Sequence, residues 1–426
     1  MARDAEGAVS ARPTRRAALA GLAAATLARP ALAQARAKAV VVGGGFGGAS
    51  AARALAAAAI DVTLVEPTPA YVACPLSNAV IGGFRDLSAQ RFGYGGLERA
   101  GVRRAPLAAS GVDGAARIVT LSDGTRLPYD RLLLAPGIDF AFDALPGYDA
   151  AAAERLPHAW KAGPQTELLS RQIDAMPEGG VVVMSVPANP YRCPPGPYER
   201  ASLIAYRLKR TKPRAKLIIL DGKDVFSKQR LFLQAWAELY PGLIEWVGLS
   251  KGGKVTRVEA ETSTLATEFG RHRADVANVI PPQRAAAIAQ IAGVADRSGW
   301  CPVDPVSFES KLVPGAHVIG DAAIMGGMPK SAFAANGQAK VAAAAIAALL
   351  RGEPAPPAKL INVCYSLVSP DYGVSIGGVY RARGEVLADV EGAGGVSPLE
   401  APPATRRREA ELAQTWFDTV THDVFG

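Results

Sequence analysis

Apolar runs and small-residue helical stretches alternate along the first part of the chain. Lys38–Val42 is a continuous β-branched run, the pattern of a strand buried on both faces. Ala49–Ala59 predicts a helix, and Val62–Val65 a second strand that ends in Glu66. Tyr129–Gly137 predicts a further strand and turn, and His317–Asp321 a late strand ending in Gly-Asp. A long helix, Ser331–Leu350, follows, with Pro329-Lys330 at its start. A second strand–helix–strand unit begins at Gly180: Val181–Val186, then Tyr198–Arg210, then Lys216–Leu220. Its helix places Ala201, Ile204, Ala205 and Leu208 on one face, the spacing of a buried stripe. Beyond the Pro-rich linker Pro354–Pro357, strand-like stretches fall at Tyr365–Leu367 and Val374–Tyr380, and a helix at Arg406–Thr421.

The first unit carries G-x-G-x-x-G at Gly43, Gly45 and Gly48, between strand and helix. Glycines there permit a tight turn and let backbone N–H groups approach a pyrophosphate at the helix N-terminus. Glu66 lies where an acid accepts ribose hydroxyls. The Tyr129–Gly137 and His317–Asp321 segments resemble strands of two-dinucleotide flavoproteins, in which the late Asp, here Asp321, accepts from the flavin ribityl chain. The three segments in this order point to FAD. Lys330, at the start of the following helix, is expected near the flavin. The second unit lacks the glycine fingerprint: Pro187–Pro197 holds prolines instead, which remove backbone donors and stiffen the loop. NAD is therefore not expected to dock there.

The chain has 426 residues, 49% hydrophobic and 20% charged, as for a folded enzyme of two or three domains. Of its net charge of +8, +3 falls within residues 1–33, and the rest is spread without a Lys/Arg block that would suit nucleic acid. Thr14-Arg15-Arg16 before the apolar run Ala17–Ala28, then Ala31-Leu32-Ala33, predict a twin-arginine-type signal peptide over residues 1–33 and export to the periplasm. No other window is apolar enough to suggest a membrane span of the mature chain.

Four cysteines, Cys74, Cys193, Cys301 and Cys364, form no CxxC or CxxCH, so a zinc ribbon, a thioredoxin motif and an attached c-type haem are not expected; nor, with four His, is a metal site. Cys193 lies beside Arg192 and just ahead of a proline-led helix start, a setting predicted to lower a thiol pKa. Cys301, in Gly299-Trp300-Cys301-Pro302, is expected to be a spectator.

The segments Cys74-Pro75-Leu76-Ser77-Asn78, Leu156–Gly163, Arg192-Cys193-Pro194-Pro195-Gly196-Pro197-Tyr198-Glu199-Arg200, Ile280–Ala285, Gly299–Asp304, Asn362–Ser366 and His422–Gly426 resemble the flavoprotein subunit of flavocytochrome c sulfide dehydrogenase over nearly the whole mature chain. The resemblance implies a fold of two Rossmann-like dinucleotide-binding domains of the disulfide-reductase type plus a C-terminal α+β domain. The expected FAD-binding domain is discontinuous, 36–150 and 285–352, interrupted by the second dinucleotide-like domain, 151–284, and followed by the C-terminal domain, 353–426. The resemblance also implies FAD held covalently through Cys74, a redox disulfide between Cys193 and Cys364, sulfide as substrate and a c-type cytochrome partner. Pro75 stands where the family pattern has an aromatic residue. Glu199 is a candidate proton carrier beside the cysteines, and Trp416 a candidate flavin neighbour. The rival readings are a sulfide:quinone reductase-like enzyme, an NAD-linked disulfide reductase and a non-catalytic flavoprotein that carries sulfane sulfur.

Overall fold

The computed structural model describes residues 36–357 and 359–426; the predicted signal peptide lies outside them. Its framework is two parallel sheets built on one plan. In the first, Lys38–Val42 is central and pairs in parallel with Asp61–Val65 on one side and Arg131–Leu134 on the other. Arg103–Ala105 extends the sheet at one edge and the late strand Ala316–Val318 at the other, giving five strands. In the second, Val181–Val186 pairs with Lys216–Asp221 and Val276–Val279, and Ile244–Val247 lies outermost. Both sheets therefore place their first strand inside and reach the second through a helical crossover.

The crossover helices start nearer the strands than the hydropathy pattern predicts. The first runs Phe46–Ala57, with Gly45 as its N-cap, so Gly47 and Gly48 are helical. The second runs Gly196–Thr211 and takes in Pro197, whose missing N–H costs nothing in a first turn. Its predicted stripe is buried: Ala201, Ile204, Ala205 and Leu208 all lie in the core.

Beyond the second sheet the chain returns to the first. Ala332–Leu350, capped by Ser331 Oγ accepting from Ala334 N, packs on Phe46–Ala57. By length and composition alone it could cross a membrane, but it is a core helix whose Ala339, Ala342, Ala345 and Ile346 are buried. The C-terminal segment is a long hairpin, Lys359–Ser369 with Tyr372–Arg383, extended by Val386–Asp389. Helix Pro403–Phe425 covers it and buries Phe417, Val420, Val424 and Phe425. The hairpin joins two hydrophobic clusters: Leu360, Leu367 and Tyr380 belong to that of the first sheet, Val368 and Val374 to that of the second. That bridging position carries Cys364 to the seam where the dinucleotide-type halves meet.

Candidate active site

A cavity of about 490 Å³ runs from the first glycine turn to Cys364. At its nucleotide end, the turn after Lys38–Val42 has no room for a side chain at Gly43 or at Gly48. Gly43 has φ +100, and a Cβ there would stand 2.4 Å from the Ala135 carbonyl oxygen. A Cβ on Gly48 would stand 1.8 Å from the Gly43 carbonyl oxygen. Gly43 and Gly45 line the cavity, whereas Gly48 lets the helix close against the turn. The N-cap Gly45 brings no side-chain acceptor, so the N–H groups of the first turn are available to an anion. Glu66 is held by the Gly44 N–H at 2.8 Å and by Thr68.

Asp321 follows Ala316–Val318 at the middle of the cavity wall. Its Oδ1 is buried with no hydrogen-bond partner, and Oδ2 lies 3.8 Å from Arg192 Nη1. Burial holds its carboxyl above the usual carboxylate range, against the pull of Arg192 and Lys330. A buried acceptor without a donor marks a place for a ligand hydroxyl. With the glycine turn and Glu66, this is the donor and acceptor pattern that FAD requires, and the residues fit that cofactor.

Lys330 corrects an expectation. It does not line the cavity: its Nζ donates to the carbonyls of Asp321 and Ala323, both at 2.8 Å, and stands 3.9 Å from the centroid of the Trp300 ring. Those acceptors and the aromatic face take the ammonium away from the cavity. The start of helix Ala332–Leu350 still faces the cavity through Ser331, Ala332 and Phe333. Trp416 also lines it and stacks on Phe333 at 5.8 Å.

At the far end the cavity wall holds Cys74, Cys193, Cys364 and Glu199 together. Cys193 adopts φ +57, the left-handed region that a non-glycine residue enters at a cost. Its N–H donates to the Lys330 carbonyl and its carbonyl accepts from Gly196 N, each at 2.8 Å. Cys364 comes from the C-terminal hairpin, where Asn362 Nδ2 donates to its Sγ at 3.3 Å. Both are free thiols in this structure. The predicted lowering of the Cys193 pKa is wrong: burial pushes the thiol up, Cys364 and Glu199 add to the rise, and Arg192 and Lys228 only oppose it. Desolvation outweighs the neighbouring cation.

Glu199 spends both oxygens, accepting from Asn78 Nδ2 at 2.7 Å and Leu367 N at 2.9 Å, and burial raises its pKa. Cys74 Sγ lies 3.9 Å from the Trp160 carbonyl oxygen. Cys301 is off the cavity, fully buried in the first core, its thiol pushed up to about 12 chiefly by burial.

Three basic residues have contacts at the site that the sequence did not indicate. Arg200, buried, donates to Asn78 Oδ1 at 3.0 Å and to the His158 carbonyl at 2.8 Å, and sits on the Trp160 ring. It thereby fixes residues 157–160, the strap that leads from the first half to the second. Arg192 donates to the Trp160 carbonyl beside Cys74. Lys228 donates to the Cys364 carbonyl at 2.8 Å. A lysine or arginine in a polar stretch reads as solvated, and only packing reveals otherwise.

The second half has no such opening at its first turn. Asp221 ends Lys216–Asp221 as Glu66 follows Asp61–Val65, but it is fully buried. Its carboxylate accepts from Tyr198 Oη at 2.6 Å, Trp246 Nε1 at 3.0 Å and Lys223 Nζ at 2.6 Å. Tyr198 also stacks on Phe226 at 3.6 Å. Protein side chains fill this end of the sheet.

Three family models match the chain. Residues 37–170 match pyridine nucleotide-disulphide oxidoreductase, 166–281 the central part of the sulfide dehydrogenase [flavocytochrome c] flavoprotein chain, and 356–425 the flavin-binding part of flavocytochrome c sulphide dehydrogenase. Among solved structures, the sulfide:quinone oxidoreductase of Aquifex aeolicus aligns with TM-score 0.71 and 18% identity, over 91% of this chain and 92% of that one. Putidaredoxin reductase in its covalent complex with putidaredoxin aligns with TM-score 0.64 and 18% identity, over 90% and 94%. NDH2 of Plasmodium falciparum aligns with TM-score 0.66 and 10% identity, over 92% and 97%. These structures share the α/β fold of the disulfide-reductase type that the resemblance implied, with its two Rossmann-like domains.

Proposed function

We infer that this chain, an FAD-dependent oxidoreductase of the flavocytochrome c sulfide dehydrogenase flavoprotein type, oxidises sulfide at a Cys193–Cys364 redox pair and passes the electrons to a c-type cytochrome. The observation that carries this reading is that Cys193 and Cys364, far apart in the chain, face one cavity with Asp321 and the glycine turn. The FAD site would be formed by Gly43, Gly45, Glu66 and Asp321, with Cys74 as the covalent anchor.

In the oxidised protein the pair forms a disulfide. Hydrosulfide attacks one sulfur; a new S–S bond forms, the Cys193–Cys364 bond breaks, and its electron pair leaves on the other cysteine as a thiolate. The attacked cysteine then carries a persulfide. Glu199, its pKa raised by burial, lies beside the pair as the candidate proton carrier for the sulfur that is attacked or released. FAD, when bound, supplies two-electron acceptance from the cysteine pair and release in single electrons. The filled turn around Asp221 supports an acceptor other than NAD. The likeness to the flavocytochrome c flavoprotein chain supports a haem protein as acceptor, and the C-terminal helix spends Phe417, Val424 and Phe425 on the core rather than on a membrane surface. The paired arginines at Arg15 and Arg16 support periplasmic export of the folded chain.

Anaerobic titration with sulfide tests the reading. The flavin spectrum should bleach with sulfide and recover with cytochrome c. A sulfane-sulfur carrier without catalysis would not bleach. Cys193→Ser and Cys364→Ser should each reduce bleaching to background with FAD still bound, while Cys301→Ser keeps it. Acid denaturation followed by mass measurement should find FAD on the peptide containing Cys74; free FAD and an unmodified peptide would remove the covalent link alone.

A further inference from the structure

The sulfide-oxidising reading leaves one buried charge without a role. Lys228 stands at the start of helix Gln229–Leu239, with φ +61, and its side chain is buried. Nζ donates to the Cys364 carbonyl at 2.8 Å, to Ser366 Oγ at 2.8 Å and to the Val374 carbonyl at 3.3 Å. All three partners are neutral. An ammonium taken out of water and given only neutral acceptors is costly unless a negative charge forms nearby.

The ionisable groups whose charge acts on it are Cys364 on Lys359–Ser369, Cys193 in the loop ahead of Gly196–Thr211, Glu199 in the first turn of that helix, and Glu409 on Pro403–Phe425. Glu409 already pairs with Arg406 at 3.2 Å. Glu199 accepts from Asn78 and Leu367, with Arg200 also acting on it. The cysteines are the facing groups whose charge changes in the proposed reaction.

We propose that Lys228 is a positioning residue that holds the Cys364 strand by its main chain and provides the fixed positive charge facing the thiolate released when the Cys193–Cys364 bond opens. The proposal rests on the redox-pair reading. In the opening step one S–S bond forms and one breaks, the electron pair goes to the leaving sulfur, and Lys228 keeps its proton. Burial pulls its ammonium down to about 8, with Cys364 foremost among the groups that oppose the fall. The charge is therefore present at neutral pH and fades above about pH 8.

The test uses the FAD-loaded full chain equilibrated in glutathione redox buffers, acid-trapped, alkylated and weighed. Lys228→Met should lower the equilibrium constant for opening the pair about tenfold, about 30 mV for a two-electron couple. Lys228→Arg should stay within about threefold of wild type, because it keeps the charge. Ser366→Ala, which removes one hydrogen bond and no charge, should leave the constant unchanged. A Lys228→Met protein with the wild-type constant overturns the proposal. So does a tenfold fall in Lys228→Arg, which remains decisive if Lys228→Met does not fold. A wild-type chain in which Cys193 and Cys364 never link refutes the redox-pair reading itself, a result separate from either of these.

Discussion

In the first half, Lys38–Val42 runs into glycines; in the second, Val181–Val186 runs into a proline-bearing loop. Both strands are central in a parallel sheet, and both lead through a helix to a neighbouring strand with an acid at or just past its end. Glu66 accepts from a backbone N–H and from Thr68, and it lines the cavity. Asp221 accepts from a tyrosine, a tryptophan and a lysine, and it is sealed. One framework thus supports an open nucleotide site and a filled one. The difference lies in whether the turn leaves room for a ligand or brings in side chains that satisfy the acid internally. A filled turn also frees its loop to serve the other half, where the Pro-rich segment presents Cys193 to the cavity.

Breaking the open turn should have the largest effect. Gly48→Ala sets a methyl against the Gly43 carbonyl, and no side-chain rotation relieves that contact. The flavin-to-protein absorbance ratio should fall to near zero. A Gly48→Ala protein with full flavin content would show that the turn is not a tight cradle.

Next come the two acids, whose substitutions should differ in kind. Asp221→Asn leaves the largely buried Lys223 without its counter-charge and should cost about 3 kcal/mol of stability. A urea melt measures the loss. NADH should still fail to reduce the flavin, and rapid reduction at micromolar NADH would mean that the second site is open after all. Asp321→Asn should cost the apo chain less, because this carboxylate is already short of donors. It should instead weaken flavin retention by about 1.5–3 kcal/mol, the worth of a hydrogen bond to a charged group. Flavin release on dialysis of a Cys74→Ser background reads that loss without the proposed covalent anchor. Equal effects of the two substitutions on stability and on flavin would erase the contrast between the halves.

The smallest effect concerns two buried histidines. His317, in the first sheet, has its pKa lowered to about 4, and His158, on the strap to the second, to about 3, in both cases chiefly by burial. Each folded value lies below the unfolded one, so each contributes stability that is complete above about pH 6.5 and declines as pH falls toward the folded value. His317→Asn, which can still donate to the Ser307 carbonyl, should flatten the loss of stability between pH 6.5 and 4. Urea midpoints at pH 7 and pH 5 measure it; an unchanged difference would assign the acid sensitivity to other groups.

The amino-acid order alone determined the local units. β-branched runs, a helical stripe with the spacing of Ala201, Ile204, Ala205 and Leu208, and a three-glycine motif, at two of whose positions, Gly43 and Gly48, a Cβ would meet a carbonyl, specify two strand–helix–strand units and a cradle. These follow from period and sterics, which act over a few residues. Helix starts were legible less sharply: Gly47, Gly48 and Pro197 discourage a helix by propensity, yet all three sit in first turns where the cost is low. Tertiary structure alone decided the rest. It turned Lys330 toward Trp300, sealed Asp221, set Lys228 behind Cys364 and raised the Cys193 thiol that its neighbours in sequence would have lowered. Desolvation and charge pairing depend on which distant segments close over a side chain, and no window of the sequence contains that information.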